Sequence, residues 1–164
     1  MISCATGHRP DKLGGYGDFL RQARIRLALE WFQQHPEITH HIQGMALGWD
    51  QDTAEAAILA GIPVIAALPF KGQELRWPFE SRRKYQEILD QCSDVVIVCP
   101  GGYESWKMMK RNQWMVDECD IVLALHDGSS GGTGNCIDYA NDYSVEIDNL
   151  WPQYQALLEE YGYA

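Results

Sequence analysis

The sequence predicts an α/β domain with three layers, in which helices cover both faces of a five-stranded, mainly parallel sheet. Two observations predict this architecture. Five short apolar stretches alternate with segments whose apolar residues recur every three or four positions, as in successive βαβ units. The last three stretches are unbroken apolar runs, such as residues 95–98, which is typical of strands buried on both faces. This pattern favours a Rossmann-like fold.

The predicted elements follow one another along the whole chain. The five strands are expected at residues 1–6, 39–44, 63–68, 94–99 and 120–125. Helical spacing marks residues 20–31, 54–61, 85–92 and 106–116, and a further helix is expected near 133–143. Residues 145–164 are predicted to form a terminal helix packed on the outside. We expect all 164 residues to form one domain.

Composition and charge limit the classes of partner. The net charge is −10, from 23 acidic and 13 basic residues, which repels a nucleic-acid backbone. We therefore expect no nucleic-acid partner, although a local basic patch can still hold one phosphorylated ligand. No apolar run approaches the roughly 18 residues that a bilayer span requires, so no membrane partner is expected.

The cysteines indicate a reducing compartment. Their positions show no C-x-x-C spacing, and their number is odd: Cys4, Cys92, Cys99, Cys119 and Cys136. We expect reduced, buried thiols in a cytoplasmic protein.

A binding site is predicted at one edge of the sheet. Glycine and polar residues follow all five predicted strands, at residues 6–10, 44–50, 69–74, 100–104 and 127–135. In an open parallel sheet the ligand crevice lies outside the carboxyl ends of the strands. The loops at the opposite edge show no such concentration of glycine and polar residues. This difference between the two edges favours a ligand site at the carboxyl edge.

The last of these loops is the strongest candidate for binding phosphate. Its glycines, Gly128, Gly131, Gly132 and Gly134, allow backbone amides to approach an anion, and a helix N-terminus follows. The hydroxyls of Ser129, Ser130 and Thr133 add donors. No Walker sequence is present, because no Gly-Lys-Ser/Thr follows. The alternative is a plain flexible turn.

Charged residues near this edge allow two interpretations each. Arg9 and Lys71 can neutralise a phosphate or lie on the surface. Asp50 can accept a hydrogen bond from a ribose hydroxyl or cap the helix that follows, and the cap is favoured. Asp52 is a second candidate for that cap. Solvated surface is the favoured interpretation for Lys107, whereas Arg111 can also brace the loops.

Histidines and aromatic residues near the two edges are further candidates for contact with a metal or a base. His8 follows the first strand, but His40 and His41 begin the second and so lie at the opposite end of the sheet, which predicts no metal site. Four aromatic residues can stack on a base or belong to the core or an interface: Trp49, Trp77, Trp106 and Tyr103. Trp49 and Trp77 are the better candidates because they lie within or near the edge loops.

Four motifs occur in a familiar order: residues 6–10 (Thr-Gly-His-Arg-Pro), 44–50 (Gly-Met-Ala-Leu-Gly-Trp-Asp), 69–74 (Pro-Phe-Lys-Gly-Gln-Glu) and 131–133 (Gly-Gly-Thr). Together they resemble the YpsA-like branch of the SLOG superfamily over residues 1–145. The resemblance implies a Rossmann-like sheet that binds ligands related to NAD or ADP-ribose, including cyclic ADP-ribose signals of antiphage defence. Members of this branch occur in phages and prophages, so the resemblance also implies a small protein that sequesters such a signal. A homo-oligomer with shared pockets is expected on the same ground.

One departure from the superfamily concerns catalysis. LOG enzymes hydrolyse the N-glycosidic bond of nucleoside monophosphates and carry a motif similar to Pro-Gly-Gly-x-Gly-Thr-x-x-Glu in this loop. In this sequence Cys136 stands at the position where that motif has its Glu. A thiol cannot replace a carboxylate that stabilises an oxocarbenium-like centre. We therefore expect non-catalytic binding of a nucleotide-derived ligand. The alternatives are a LOG-like N-glycosidase using Glu74 or Glu104, and a DNA-handling protein of the DprA sort, which the charge disfavours.

The expected ligand-binding residues all come from these loops: Thr6, Gly7, His8, Arg9, Gly44, Met45, Ala46, Asp50, Phe70, Lys71, Gly102, Ser129, Ser130, Gly131, Gly132, Thr133 and Asn135. No catalytic residue, metal ligand or cofactor is expected.

Overall fold

The computed structural model describes residues 1–163. Its strands are β1 (Ile2–Gly7), β2 (His40–Gln43), β3 (Val64–Leu68), β4 (Asp94–Ile97), β5 (Ile121–Leu125) and β6 (Glu146–Asn149). Its α-helices are α1 (Asp18–Gln34), α2 (Trp49–Leu59), α3 (Phe79–Asp90), α4 (Trp106–Glu118), α5 (Gly132–Asp142) and α6 (Trp151–Glu160), and a short 3-10 helix covers Pro10–Lys12.

All the strands belong to one parallel sheet in the order β4-β3-β2-β1-β5-β6. The central strand β1 pairs with β2 on one side, where Cys4 lies opposite Ile42. On its other side β1 pairs with β5, and this register continues to the pair Gly7 and Leu125 at the carboxyl ends. The Rossmann-like α/β architecture predicted from the sequence is confirmed.

The number of strands is a correction, because the sheet has six strands and not five. Strand β6 pairs with β5 through Ile147 and Val122, and the terminal helix begins only at Trp151. The sequence signal was weak because β6 is a short edge strand with two acidic residues and little burial. The indole Nε1–H of Trp31 donates to Asp148 at 2.7 Å and ties β6 to α1.

Helices pack on both faces of the sheet and form two separate cores. One face holds α1, α2, α3 and α6, which bury large side chains such as Trp31, Trp49, Tyr85 and Tyr154. The other face holds α4 and α5, whose Met115 and Cys136 pack with small and branched strand residues. The helices thus lie on both sides of the buried strands, which gives the predicted three layers.

Strand β4 departs from the expected burial on both faces. Val95 and Ile97 are exposed to 41% and 49%. The reason is position: β4 is the outermost strand of its side, and residues 95–98 form an apolar run that the helices cover on one side only. An unbroken apolar run therefore did not distinguish a central strand from an edge strand here.

The topology creates a crevice at the carboxyl ends of β1 and β5. The chain leaves β1 into α1 on one face of the sheet and leaves β5 into α5 on the other face. The two connections diverge, and this switch point is where open parallel sheets bind ligands. Among the helices of residues 1–163, none is long and apolar enough to cross a bilayer.

Candidate functional site

A cavity of about 360 Å³ opens at the switch point between β1 and β5. Its wall combines the loop after β1, the start of α2, the middle of α4 and the first turn of α5. The lining residues are Thr6, Gly7, His8, Arg9, Asp11, Lys12, Ala46, Asp50, Met108, Arg111, Asn112, Gly132 and Thr133. We call this the first cavity.

A second cavity of about 580 Å³ adjoins the first, since Arg9 and Met108 line both. It lies between the loop after β3 and the loop after β4. Its remaining lining residues are Phe70, Lys71, Gly72, Gln73, Leu75, Arg76, Trp77, Gly102, Tyr103 and Ser105. The two cavities together form a groove along the carboxyl edge of the sheet.

The N-terminus of α5 forms one end of the first cavity. The glycine-rich loop after β5 leads into the helix, with Gly131 as N-cap at a φ of 138°, a conformation that favours glycine. Residues Gly132 and Thr133 of the first turn line the cavity. Amides in the first turn of a helix lack intrahelical acceptors, and the helix dipole is positive at this end. The helix predicted after this loop is confirmed.

His8 and Asp127 form a hydrogen-bonded pair beside the first cavity. The carboxylate of Asp127 accepts from the amide and the hydroxyl of Ser129, and these bonds, with His8, hold the pKa of Asp127 well below its usual range. Nε2 of His8 lies 2.8 Å from the ionised carboxylate of Asp127 and 3.1 Å from the backbone nitrogen of the same residue. Burial lowers the pKa of His8, against the opposing effect of Asp127. The imidazole is thus neutral near pH 7.

Asp50 is a buried carboxylate in the wall of the first cavity. Burial raises the pKa of Asp50 to about 6, although the positive charge of Arg111 opposes this. Within residues 1–163 its one hydrogen bond is a long contact of 3.4 Å from the amide of Ala46. The preferred interpretation as a helix cap is wrong, because Gly48 is the N-cap of α2. Asp52 is not the cap either, since its carboxylate pairs with Arg24 at 2.5 Å.

Arg111 braces the floor of the groove. Its guanidinium is buried and donates from Nη1 to the carbonyl oxygens of Gly44 at 2.6 Å and Ala67 at 3.2 Å. Helix α4 is thereby tied to the carboxyl ends of β2 and β3. The bracing role considered for Arg111 is confirmed. Lys107 was expected on the solvated surface and is instead buried, donating to the carbonyl oxygens of Pro100 and Gly102.

Two motif glycines are explained by close packing. A Cβ at Gly44 would lie 2.2 Å from Nη1 of Arg111, and a Cβ at Gly7 would lie 2.5 Å from the ring of Trp49. Both distances are shorter than real Cβ contacts. These glycines let a helix side chain approach the strand ends that carry the site.

The structure sorts the expected site residues into three groups. Those in the walls of the groove are Thr6, Gly7, His8, Arg9, Ala46, Asp50, Phe70, Lys71, Gly102, Gly132 and Thr133. Gly44 and Met45 are buried behind it, and Met45 adopts a φ of 62°. Ser129, Ser130, Gly131 and Asn135 lie in or beside the α5 loop without lining either cavity.

The aromatic candidates divide as well. Trp49 is fully buried, and its indole donates to the carbonyl oxygen of Leu123, so it belongs to the core and cannot stack on a ligand. Trp77 lines the second cavity, beside Phe70 and the exposed Tyr103, whose rings meet edge to face at 5.7 Å.

The residues weighed for hydrolysis lie away from the first cavity. Cys136 is buried in the core of the α4–α5 face, and neither Glu74 nor Glu104 lines this cavity. Glu104 is exposed and accepts a hydrogen bond from the indole of Trp106, which lowers its pKa. Four of the cysteines are buried as expected, whereas Cys92 is half-buried.

Several site residues were missed by the sequence reasoning. Asp11, Lys12, Met108 and Asn112 line the first cavity, and Asp127 orients His8. The position of Asp127 directly after a buried strand was an available signal. No sequence signal shows that α4 turns Met108 and Asn112 toward the strand ends.

Comparison with known proteins gives relatives of modest identity. The SPbeta prophage-derived protein YoqJ of Bacillus subtilis is 32% identical over 115 residues, which are 60% of this chain and 67% of that protein. A UPF0398 protein of Bacillus thuringiensis is 31% identical over 99 residues, covering 56% of this chain. The match spans about half of that relative, 54% of its length.

The fold is shared with DNA processing protein A of Helicobacter pylori. The structure of that protein was described for its single-stranded DNA binding mode. It superimposes on this chain with a TM-score of 0.63 at 17% identity, and the match covers 100% of this chain and 74% of the other. The exclusion of nucleic acid as a partner class is therefore wrong, because a protein of this fold binds DNA. The net charge of the whole chain did not indicate that the groove at the carboxyl edge is lined by four cations, Arg9, Lys12, Lys71 and Arg76.

The family itself is shown by a match over most of the chain. The model of the YspA SLOG family, YpsA, matches residues 4–148, which include all six strands apart from the first residues of β1 and the last of β6. The chain belongs to the YspA SLOG family.

Proposed function

We propose that this protein binds a nucleotide-derived small molecule of the ADP-ribose type in the groove and holds it without turnover. The observation that carries the proposal is the junction of two chemically different cavities at Arg9 and Met108. Their volumes of about 360 and 580 Å³ are in the range of small-molecule sites.

The first cavity suits phosphate and ribose. The first turn of α5 supplies free amides and a positive dipole end, and Arg9 and Lys12 add positive charge. Asp50 offers a carboxylate acceptor to sugar hydroxyls in the same wall. This combination of anion donors and one acceptor favours a phosphorylated sugar over a bare anion.

The second cavity suits a base. The half-buried Trp77 gives apolar ring surface in the wall, and Tyr103 adds an exposed ring at the rim, supported from behind by the buried Phe70. Bases stack on such rings with little sequence or edge specificity. A ligand with phosphates near Arg9 could reach both cavities at once.

Binding without turnover is the part of the proposal that concerns chemistry. Cys136 is buried where LOG enzymes carry a glutamate, and the carboxylates of Glu74 and Glu104 lie outside the first cavity. The acidic side chains in that wall are Asp11 and Asp50, so a hydrolytic alternative would have to use one of them. Asp50 is the buried one of the two and is included in the test of hydrolysis.

We propose that the biological role of this binding is to sequester a nucleotide signal. YoqJ is prophage-derived by name, which is consistent with a phage origin for this type of protein. A small protein that holds a nucleotide signal lowers the free concentration of that signal in proportion to its own abundance.

The test is calorimetric titration with ADP-ribose, cyclic ADP-ribose isomers and AMP, followed by chromatography of the mixtures. We expect one site per chain, with intact ligand recovered. Released base that disappears in Asp50→Asn would overturn binding without turnover. The absence of binding to every one of these ligands at about millimolar concentration would overturn the proposal as a whole.

Single-stranded nucleic acid is a second candidate that one observation favours. Arg9, Lys71 and Arg76 line the second cavity together with the aromatic rings, and none of them forms an ion pair within residues 1–163. Unpaired cations beside stacking platforms are typical of proteins that bind single strands.

Fluorescence anisotropy with a labelled oligothymidylate at two salt concentrations separates the candidates. A single-strand binder loses affinity steeply with salt, because bound phosphates release counterions. Competition by unlabelled ADP-ribose would place both ligands in the same groove. No change in anisotropy at low salt would eliminate the second candidate.

A further inference from the structure

We propose a divalent transition-metal site formed by His8, His126 and Asp127. One potential ligand atom from each of these residues lies within 4.8 Å of those of the other two. The two imidazole rings are 5.2 Å apart between centroids, and Nε2 of His8 lies 2.8 Å from the carboxylate of Asp127. The site is independent of the proposed nucleotide.

The pairing of β1 with β5 brings the three residues together. Gly7 lies opposite Leu125 in the register, so the next residues of both strands, His8 and His126, emerge side by side at the carboxyl edge. The amide of His8 donates to the carbonyl oxygen of Leu125 at 3.2 Å and extends the pairing by one step. His40 and His41, by contrast, begin β2 at the other end of the sheet, and the expectation of no metal site rested on their distance from His8.

The donor set selects a class of cation. Two imidazoles and one carboxylate suit zinc, manganese, iron, cobalt or nickel, whereas magnesium and calcium prefer oxygen ligands alone. Both histidines are buried and Asp127 is exposed beside them, so a cation can enter the site from solvent. Cysteine does not contribute, so a closed structural zinc site is not indicated.

Metal binding requires one tautomer of His8. In the metal-free form Nε2 of His8 lies 2.8 Å from the Asp127 carboxylate and 3.1 Å from the Asp127 backbone nitrogen. When the cation binds, the single proton of the neutral imidazole is carried on Nδ1, so the Nε2 lone pair and the carboxylate oxygen both coordinate the metal. No electron transfer is involved.

Surrounding groups hold the three ligands in position. The amide of Ser129 donates to Asp127 at 2.9 Å, and the Ser129 carbonyl oxygen lies 2.7 Å from Nε2 of His126. The side chain of Asn149 makes two hydrogen bonds to the backbone of His126. It accepts from the His126 amide at 3.1 Å and donates to the His126 carbonyl oxygen at 2.9 Å. Such outer hydrogen bonds fix ring orientation and tautomer in metal sites.

The position of the site gives the metal a use. His8 also lines the first cavity, so a bound cation lies at the rim of that cavity, near the α5 N-terminus. Three protein ligands leave coordination positions open. An anionic oxygen in the first cavity completes the coordination sphere.

The test uses untagged, chelator-treated protein and chloride salts of zinc, manganese and cobalt in the absence of nucleotide. Calorimetry is expected to give one equivalent per chain, and the cobalt form is expected to show visible absorption bands of a nitrogen- and oxygen-ligated ion. His8→Gln, His126→Gln and Asp127→Asn should each weaken binding at least about tenfold. His40→Gln, a change at an exposed histidine far from the site, should leave it unaltered.

The variant Asp127→Asn is expected to fold even if the histidine variants do not, so it can still contradict the proposal. The side chain at this position is exposed, and the amide oxygen of the new Asn can still accept from Ser129. The thermal midpoint should rise with metal in the wild type and not in Asp127→Asn. Stoichiometric binding that survives in all three variants, or no binding by the wild type at about 100 μM metal, would overturn the site. Failure of nucleotide titrations leaves this result unaffected.

Discussion

The guanidinium of Arg111 lies across Gly44, to whose carbonyl oxygen Nη1 donates at 2.6 Å. This contact joins α4 to the carboxyl end of β2, directly behind the first cavity. It needs both a long cation from the helix and a residue without a side chain on the strand. The shape of the groove therefore depends on a pair of residues 67 positions apart in the sequence.

Gly44→Ala is expected to disturb both stability and ligand binding. The new Cβ would meet Nη1 of Arg111 at 2.2 Å, and the guanidinium would have to leave two carbonyl oxygens in a buried place. We expect a loss of about 2 kcal/mol or more in the free energy of unfolding, measured by urea denaturation. Gly17→Ala is the matched control, since no atom lies within 4 Å of its added Cβ and it should cost little.

Asp50→Asn is expected to raise stability and weaken ligand binding. The pKa of Asp50 is raised by burial to about 6, so the folded protein holds this proton more tightly than the unfolded chain. The contribution of Asp50 to stability is therefore lost as pH rises through its folded pKa. The advantage of the Asn variant should grow by about 1 kcal/mol between about pH 5 and about pH 8.

Urea denaturation at the two pH values measures that advantage, and titration with ADP-ribose at the higher pH measures the cost to binding. An Asn variant whose stability relative to the wild type does not change with pH would contradict the assignment of a strongly shifted carboxyl at Asp50.

His41 is expected to make the protein sensitive to acid. Its ring is buried between the hydroxyls of Ser3 and Thr53, at 2.8 and 3.0 Å, and burial lowers its pKa to about 3. The unfolded chain binds this proton near pH 6.5 and the folded chain does not, so stability is lost as pH falls below about 6.5. Between about pH 7 and about pH 5 this costs the wild type about 2 kcal/mol.

His41→Gln should lower stability at neutral pH and remove most of this acid dependence, as followed by urea denaturation at the two pH values. His40→Gln changes the exposed neighbour and should keep the wild-type dependence. Equal pH dependence in the two variants would show that another group causes the acid sensitivity.

Arg9→Ala is expected to weaken a phosphate-bearing ligand about tenfold, because it removes a charge-assisted contact to phosphate. Lys71→Ala is expected to weaken only a ligand that extends into the second cavity. Arg9 lines both cavities, so its loss should affect short and long ligands alike, whereas Lys71 lines only the second cavity. Calorimetry with AMP and ADP-ribose compares the two variants. Arg26→Ala, an exposed cation on α1 outside the groove, should leave both affinities unaltered.

Much of the fold was predictable because β3, β4 and β5 carry apolar runs and the segments between the strands carry helical spacing. β6 was missed because Glu146 and Asp148 are charged and the strand gains its place by pairing with β5 and through the bond from Trp31. The exposure of Val95 and Ile97 was also unpredictable, because strand order is a tertiary property.

The site was predictable where it follows a strand directly. Thr6–Arg9 and the start of α5 lie at the cavity as the edge-loop argument expects. Burial was not predictable for the other residues. Trp49 and Met45 occupy motif positions but lie in the core, and Lys107 is buried and donates to two backbone carbonyl oxygens. The closeness of His8 to His126 needed the register of β1 against β5, which local sequence does not encode.

The most direct test of the central claim is mass spectrometry of small molecules released by denaturing the protein after incubation with cyclic ADP-ribose isomers and removal of free ligand. The account predicts that one isomer is recovered intact, in an amount approaching one per chain, and that Arg9→Ala retains much less. Recovery of free base with ribose phosphate would contradict binding without turnover, and recovery of no nucleotide derivative would contradict the proposed ligand class.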